Sequence, residues 1–392
     1  MQKIQARLRL KKGKERPLLQ HHHWIYSGAV ASLENESSGS LADVFTASGE
    51  KLGVAMLTPG RSIVGHMLAR GEESVEDAIG SRIEAAHAMR QVLFNPQQTN
   101  AFRLINADGD GIPGLIVDVY NGVFVLQLSH PALEELKSLL VETLQKLAPR
   151  AIYEKSTSFM RKKEGMQEAR ALLWGEPEEV VEVVENGLSY RVALLEGQKT
   201  GLFLDQREMR AQVRELSRGK KVLNCFAYTG GFSIAALAGG ASHVDSVESS
   251  KKCEPALAEN LALNALEAER HRFYCEDAIA FVAREPLDSY GVVVLDPPAF
   301  VKKREDIDVA FRAYKELNRV AIEKMARGSL LVTCSCSYHV SEELFQNIVF
   351  RASLEAKRGV KIVGRHRQAY DHPVSVFHPE GSYLKSLVLW VE

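Results

Sequence analysis

From Tyr190 onward, short apolar runs alternate with stretches of helical periodicity, and almost every run finishes on a residue that can hydrogen-bond or react. The runs are KVLNCF, HVDSVE, RFYCED, GVVVLD and SLLVTCS, and the residues near their ends are Asn224, Glu248, Asp277, Asp296 and the pair Cys334 and Cys336. Runs that are apolar along their whole length belong to strands covered on both faces, so the pattern predicts a parallel sheet between helices. Ligands of such sheets bind outside the carboxyl ends of the strands. The polar residues above should therefore line one crevice.

The full chain of 392 residues is too long for one ordinary core. Residues 1–73 hold short alternating runs (ARLRL, WIYSGAV, ADVFTA, KLGVAML, SIVGHML) separated by turn residues, as in a small β-rich domain. Residues 74–100 read as a connecting helix, with Ser74 and Asp77 available as N-terminal caps. Residues 101–187 combine strands, D-G and N-G turn signals and an amphipathic LEELKSLLVETLQKL, which fits a small α+β domain, and residues 188–392 form the sheet-and-helix domain.

Net charge is −1, but residues 1–20 carry seven basic residues against Glu15 alone, a common footprint of nucleic-acid contact. No run of about eighteen apolar residues is present, so no membrane partner is expected. The five cysteines show no paired framework and no C-x-x-C, which favours a reducing, cytoplasmic setting without structural disulfides. No metal site is expected: the HHH run at 21–23 sits on a basic loop and reads as facing RNA or solvent.

NCFAYTGGF after the first of these strands is a glycine-bearing turn into a helix, and Glu248 lies eighteen residues beyond Gly230, where an acidic group can accept from ribose hydroxyls. A G-x-G-x-x-G fingerprint is missing, so a nucleoside cofactor is favoured over a dinucleotide held by its pyrophosphate. Asp277, at the next strand end, would face an adenine edge. In VVVLDPPAF the two prolines fix the loop after Asp296. Phe300 then offers a face on which a nucleobase could stack, or else enters the core. A thiol beside this loop has a use with a flipped cytosine, because carbon-5 becomes nucleophilic only after a thiolate adds at carbon-6. Cys334 and Cys336 on an extended strand would share a face about 7 Å apart, so one of them serves and the other fills space.

KVLNCFAYTGGFSIAAL, GQKTGLFLDQR, DPPAF, SCS and RQAYDHPVSVFHPEGSYLK together resemble the bacterial 23S ribosomal RNA large subunit methyltransferase I family. KKGKERPLLQHHHWIYSGAV is similar to that family's RNA-binding PUA module, although His23 stands where a proline is expected. The resemblance implies an α/β fold with an N-terminal PUA-like β-barrel, a small α+β middle domain and a C-terminal Rossmann-like class I methyltransferase domain. It further implies S-adenosylmethionine as cofactor and 5-methylcytosine formation in 23S rRNA or a large-subunit assembly intermediate, with a homodimer left open. The nucleophile is then Cys336, in Ser335-Cys336-Ser337, with Asp296 beside the base. Wider RNA 5-methylcytosine enzymes carry Thr-Cys-Ser here, which would select Cys334, and a second cysteine after the prolines where this chain has Ala299 and Phe300. Cofactor contacts are expected from Lys199, Thr200, Gln206, Asn224, Phe226, Tyr228, Thr229, Gly230, Glu248, Asp277 and Asp296. Phe300, Arg207 and Lys302 are expected to meet substrate, while Asp205 and Glu208 have capping-box spacing. A DPPAF loop also resembles the N-P-P-Y loops that hold an amine, so a base-nitrogen methyltransferase stays open, as does a non-catalytic RNA-binding assembly protein.

Overall fold

The computed structural model describes residue 4 and residues 6–37, 39–195, 201–300 and 304–392. The chain divides into two compact units: Met1–Val184 with Val192–Leu204 and Tyr370–Gly381, and Glu185–Arg191 with Asp205–Ala369 and Ser382–Glu392. Two stretches that the sequence reading assigned to the C-terminal domain, 192–204 and 370–381, thus fall in the first unit. Among the described residues no helix is long and apolar enough to cross a membrane.

Among its described residues the first unit carries a six-stranded sheet and a five-stranded sheet. The six-stranded sheet runs Trp24–Tyr26, Ile63–Arg70, Lys51–Leu57, Leu41–Phe45, Ala6–Leu10, Val30–Glu34. In Ala6–Leu10 the alternation is complete: Ala6, Leu8 and Leu10 are buried while Arg7 and Arg9 face solvent, which is the period-2 signature of a half-covered strand. The helix Val75–Leu93 follows, and the Ser74 hydroxyl accepts the Asp77 amide at its start. The five-stranded sheet contains the hairpin Leu115–Tyr120 and Val123–Leu128, whose Asn121 and Gly122 both adopt positive φ, 49° and 81°, as a two-residue N-G turn requires. Tyr370–Gly381 is tied in by buried polar bonds: Asp371 accepts the Arg103 amide at 2.7 Å and, through its carbonyl, Arg90 at 2.8 Å.

The second unit is built on seven strands, β1 (Lys221–Cys225), β2 (His243–Val247), β3 (His271–Tyr274), β4 (Val292–Leu295), β5 (Leu330–Ser335), β6 (Val360–His366) and β7 (Lys385–Val391). Their order in the sheet is β3-β2-β1-β4-β5-β7-β6, with β3 to β5 parallel to their neighbours and β7 antiparallel to both β5 and β6. Helices α1 (Arg207–Leu216), α2 (Gly231–Ala238), α3 (Cys253–Leu263), α4 (Ala278–Arg284), α5 (Ile307–Lys324) and α6 (Glu342–Ala356) cover it. Leu223, Val293 and Leu331 share a core with Phe281 of α4, Tyr314 of α5 and Phe345 of α6. The alternate residues Asn224 and Ser246 face the other way, to Ser233 of α2, at 2.8 and 2.7 Å. Both faces are therefore covered, as the unbroken apolar runs require.

Candidate active site

The turn from β1 into α2 is set by backbone conformation. Phe226 and Tyr228 hold φ of 61° and 50°, and Gly230, at 84°, is a position where an added Cβ would lie 2.6 Å from Leu257 Cγ. Non-glycine residues in this region are uncommon and cost energy, so the loop must be held from outside. Glu248, at the end of β2, does so: Oε2 accepts the Tyr228 amide at 3.1 Å and Oε1 the Ser250 amide at 3.0 Å. The Ser249 hydroxyl donates to Oε1 at 3.2 Å and can rotate away. A carboxylate has about four lone-pair sites, so this one can still accept two vicinal hydroxyls without dismantling the loop. That acceptor geometry fits the ribose of a nucleoside cofactor.

The other residues expected at the cofactor divide into two groups. Asp277 is exposed and its Oδ1 accepts the Ala280 amide at 2.8 Å as the N-cap of α4. Tyr228 and Thr229 are half-buried in the loop, and the Thr229 carbonyl is held by Asn260 at 3.0 Å. Phe226 packs partly against the core. Asn224 is fully buried with its amide nitrogen on Ser233, so it braces β1 against α2. Lys199, Thr200 and Lys302 lie outside the described residues.

At the ends of β4 and β5 the two thiols separate. Cys334 is fully buried within β5. Burial, with Asp296 nearby, pushes its thiol well above the ordinary range, and hydrogen bonds with Ser386 and Gln206 offset this only in part. Cys336 lies one residue past the strand, is half-buried, and its Sγ is 3.9 Å from the Pro297 carbonyl of the D-P-P loop. The pair is therefore not two equivalent positions on one strand face: the strand stops at Ser335, and only Cys336 belongs to the loop end. Gln206 Nε2 donates to Asp296 Oδ1 at 3.0 Å and is itself buried, which orients the carboxylate.

Three expectations change. Arg207, expected on substrate, is 1% exposed and lies 3.8 Å from Glu185, whose carboxylate also takes both forks of Arg210 at 2.7 and 2.6 Å. It serves a buried ion cluster and cannot grip RNA. Asp205 does not cap α1, where Gln206 is the cap residue without a side-chain bond; Asp205 Oδ2 instead accepts the Tyr383 hydroxyl at 2.7 Å. Phe300 is half-buried with its ring 4.6 Å from that of Tyr314, so one face is already engaged.

Residues near the thiol that the sequence reading missed are Tyr314 and Lys385. Tyr314, buried in α5, places its hydroxyl 3.0 Å from Ser337 Oγ; burial pushes its phenol up to about 12, so it stays neutral. Lys385, the first residue of β7, pairs in register with Ser335 and donates to the carbonyls of Ser337 and Tyr383, each at 2.7 Å. Burial lowers its ammonium to about 8. The only sequence sign was a lysine opening a late apolar strand, in SYLKSLVLW.

On the first unit, Arg7, Arg9, Ser32, Glu34 and Phe45 line an open hollow of about 280 Å³, a surface suited to phosphate with one aromatic side chain. Of the histidine run, His22 comes together with His378 and Glu380, their ligand-type atoms within 4.8 Å of one another. His22 Nδ1 accepts the Trp24 amide at 3.2 Å, which leaves the neutral ring's proton on Nε2, facing Glu380 Oε1 at 3.4 Å. In that tautomer Nε2 is a donor, and the cluster is a polar tie holding 370–381 in place.

Two family models match the chain: a PUA-like domain over residues 8–70 and an S-adenosylmethionine-dependent methyltransferase over residues 103–367. Ribosomal RNA large subunit methyltransferase I of Escherichia coli O139:H28 is 37% identical over 97% of this chain and 98% of its own length. The protein of that name from Shigella boydii serotype 4 matches equally. Among solved structures, a SAM-dependent methyltransferase from Streptococcus mutans superimposes with a TM-score of 0.84 at 24% identity, covering 98% of this chain and 99% of that one. A methyltransferase complexed with S-adenosylhomocysteine gives 0.84 at 23% identity, with the same coverage of both chains; at these identities the likeness is one of fold. The Glu248 carboxylate and the loop it holds suit the nucleoside half of S-adenosylmethionine, the cofactor of this enzyme class. Sequence identity along nearly the full length and the two matched domains agree: this chain belongs to the ribosomal RNA large subunit methyltransferase I family of S-adenosylmethionine-dependent methyltransferases.

Proposed function

We propose that the protein methylates carbon-5 of a cytosine in 23S ribosomal RNA, free or in an assembling large subunit, in the cytoplasm. S-adenosylmethionine supplies the electrophilic methyl group. The Cys336 thiolate adds to carbon-6 of a flipped cytosine, so that carbon-5 gains enamine character and attacks the methyl, releasing S-adenosylhomocysteine; transfer of the carbon-5 proton to water then expels the thiolate and restores the ring. Asp296, oriented by Gln206, accepts from the exocyclic amine and, with a proton held between it and N3, stabilises the adduct. Glu248 holds the ribose of the cofactor, and Arg7 and Arg9 meet phosphates of the RNA.

The observation that carries this reading is the contrast between the thiols: one sealed in β5, one partly exposed against the D-P-P loop. A base-nitrogen methyltransferase would have no use for Cys336. Mass spectrometry of ribosomal RNA digests from cells with and without the protein tests the reading. A 5-methylcytidine that disappears on deletion and returns with the wild-type gene but not with Cys336→Ala supports it. Loss of a methylated purine, or full rescue by Cys336→Ala, would refute it.

A further inference from the structure

The thiol of Cys336 must be a thiolate to add to a pyrimidine, and an unassisted thiol near pKa 8.5 is mostly protonated at neutral pH. We propose that Lys385 is the positioning residue that makes Cys336 nucleophilic, its ammonium group holding the sulfur as a thiolate. The inference rests on the carbon-5 reading above. The geometry behind it is a consequence of the antiparallel strand: β7 begins where β5 ends, so Lys385 stands opposite Ser335, immediately before Cys336, and its Nζ reaches on to the Ser337 carbonyl, immediately after it. The side chain thereby runs along the three-residue corner that carries the cysteine.

Two of the three ammonium hydrogens are accounted for by the Ser337 and Tyr383 carbonyls, both at 2.7 Å. Those bonds fix a cation in a largely buried place where its charge is poorly screened. The other titratable groups around the corner are Tyr314 of α5, Glu342 at the start of α6, Asp296 after β4 and Cys334 of β5. Tyr314 and Cys334 stay neutral, Glu342 is already engaged by Arg365 and Arg367 at 3.2 and 2.8 Å, and Asp296 opposes a thiolate, so among these described groups Lys385 is the cation bonded at the cysteine corner itself. The effect is mutual: burial lowers Lys385, and Cys336 and Glu342 offset that only in part. On ionisation the thiol proton leaves to water, which reaches the half-buried sulfur; at neutral pH, below its value of about 8, Lys385 stays largely an ammonium, and the same charge favours departure of the thiolate from carbon-6 at the end.

The test is the pH dependence of Cys336 alkylation by iodoacetamide in the full-length protein, read by peptide mass spectrometry with the exposed Cys275 as an in-sample control. In the wild type the midpoint should lie below about 8.5. Lys385→Gln should raise it by about one unit or more, with roughly tenfold slower alkylation at pH 7. Lys385→Arg should restore most of the shift, and Cys275 should not respond. A Lys385→Gln profile that superimposes on the wild type would overturn the inference. Should Lys385→Gln fail to fold, the thiolate absorbance near 240 nm of wild type minus Cys336→Ser gives the midpoint directly, and a value at or above about 8.5 overturns it equally. The two readings fail separately. An active Cys336→Ala enzyme removes the carbon-5 reaction even if Lys385 controls the thiol, whereas an inactive Cys336→Ala with an unmoved Lys385→Gln profile removes only the role of Lys385.

Discussion

Oε2 of Glu248 accepts the amide hydrogen of Tyr228 at 3.1 Å, and in doing so ties the end of β2 to a loop whose residues 226 and 228 sit at positive φ. One carboxylate thus holds the loop and, in the proposed function, also meets the cofactor ribose. Glu248→Gln keeps the size but loses the charge and one acceptor. Binding of S-adenosylhomocysteine, measured by calorimetry, should weaken by tenfold or more, from about 1.5–3 kcal/mol for hydrogen bonds to a charged group. Unchanged affinity would place the cofactor elsewhere.

Gly230 offers an independent check on the same loop. Its φ of 84° and the 2.6 Å approach of Leu257 Cγ to an added Cβ leave no room for alanine. Gly230→Ala should cost about 1–3 kcal/mol, from left-handed strain together with overpacking, seen as a lower denaturation midpoint together with weaker cofactor binding. Gly165, also at positive φ (77°) but with nothing within 4 Å of an added Cβ, should show the strain alone when replaced by alanine.

Arg7 and Arg9 emerge on the solvent face of one strand and line a hollow with Phe45. If they neutralise RNA phosphates, the Arg7→Ala/Arg9→Ala protein should bind a 23S rRNA fragment more weakly. The slope of log affinity against log salt should flatten by about 1.4 to 1.8, at roughly 0.7–0.9 for each lost contact. Filter binding across a salt series measures both quantities, and an unaltered slope would show that these arginines do not meet phosphate.

Buried histidines set a stability limit in acid. His271 is lowered to about 4 by burial and by His243, with Asp245 opposing, and its Nε2 lies 2.8 Å from Ser246 Oγ. Because the folded value is below the unfolded one near 6.5, the unfolded chain binds more protons between these values, so stability falls as pH drops from about 6.5 towards 4. His130, lowered to about 3 by burial and His66, acts in the same direction in the first unit. Thermal melts at pH 7 and pH 5 should show a loss on acidification that is smaller in His271→Gln.

What could be read from the sequence was local. The N-G turn at Asn121 and Gly122, the Ser74 cap and the glycine at the β1–α2 turn each follow from the conformational demands of a few neighbouring residues. The unbroken apolar runs gave away the covered sheet. What could not be read depends on partners distant in the chain. Arg207 looks like a substrate residue until Glu185 is brought beside it. Asp205 has the spacing of a cap, but Tyr383 claims its carboxylate. Lys385 acquires meaning only once β7 is known to run antiparallel to β5. The preference for Cys336 over Cys334 comes from the resemblance alone, because nothing in the residues themselves says that the strand stops between them.

The central claim is that Cys336 forms a covalent bond to the target pyrimidine, and a trapped complex tests it most directly. A 23S rRNA fragment carrying 5-fluorocytidine, incubated with the protein and S-adenosylmethionine, should yield a denaturation-resistant adduct, because fluorine at carbon-5 cannot leave as the proton does. Tandem mass spectrometry should place the nucleotide on Cys336, with no adduct in Cys336→Ala and an undiminished one in Cys334→Ala. Methyl transfer to RNA by wild-type protein without any such adduct, or an adduct on Cys334, would contradict the account.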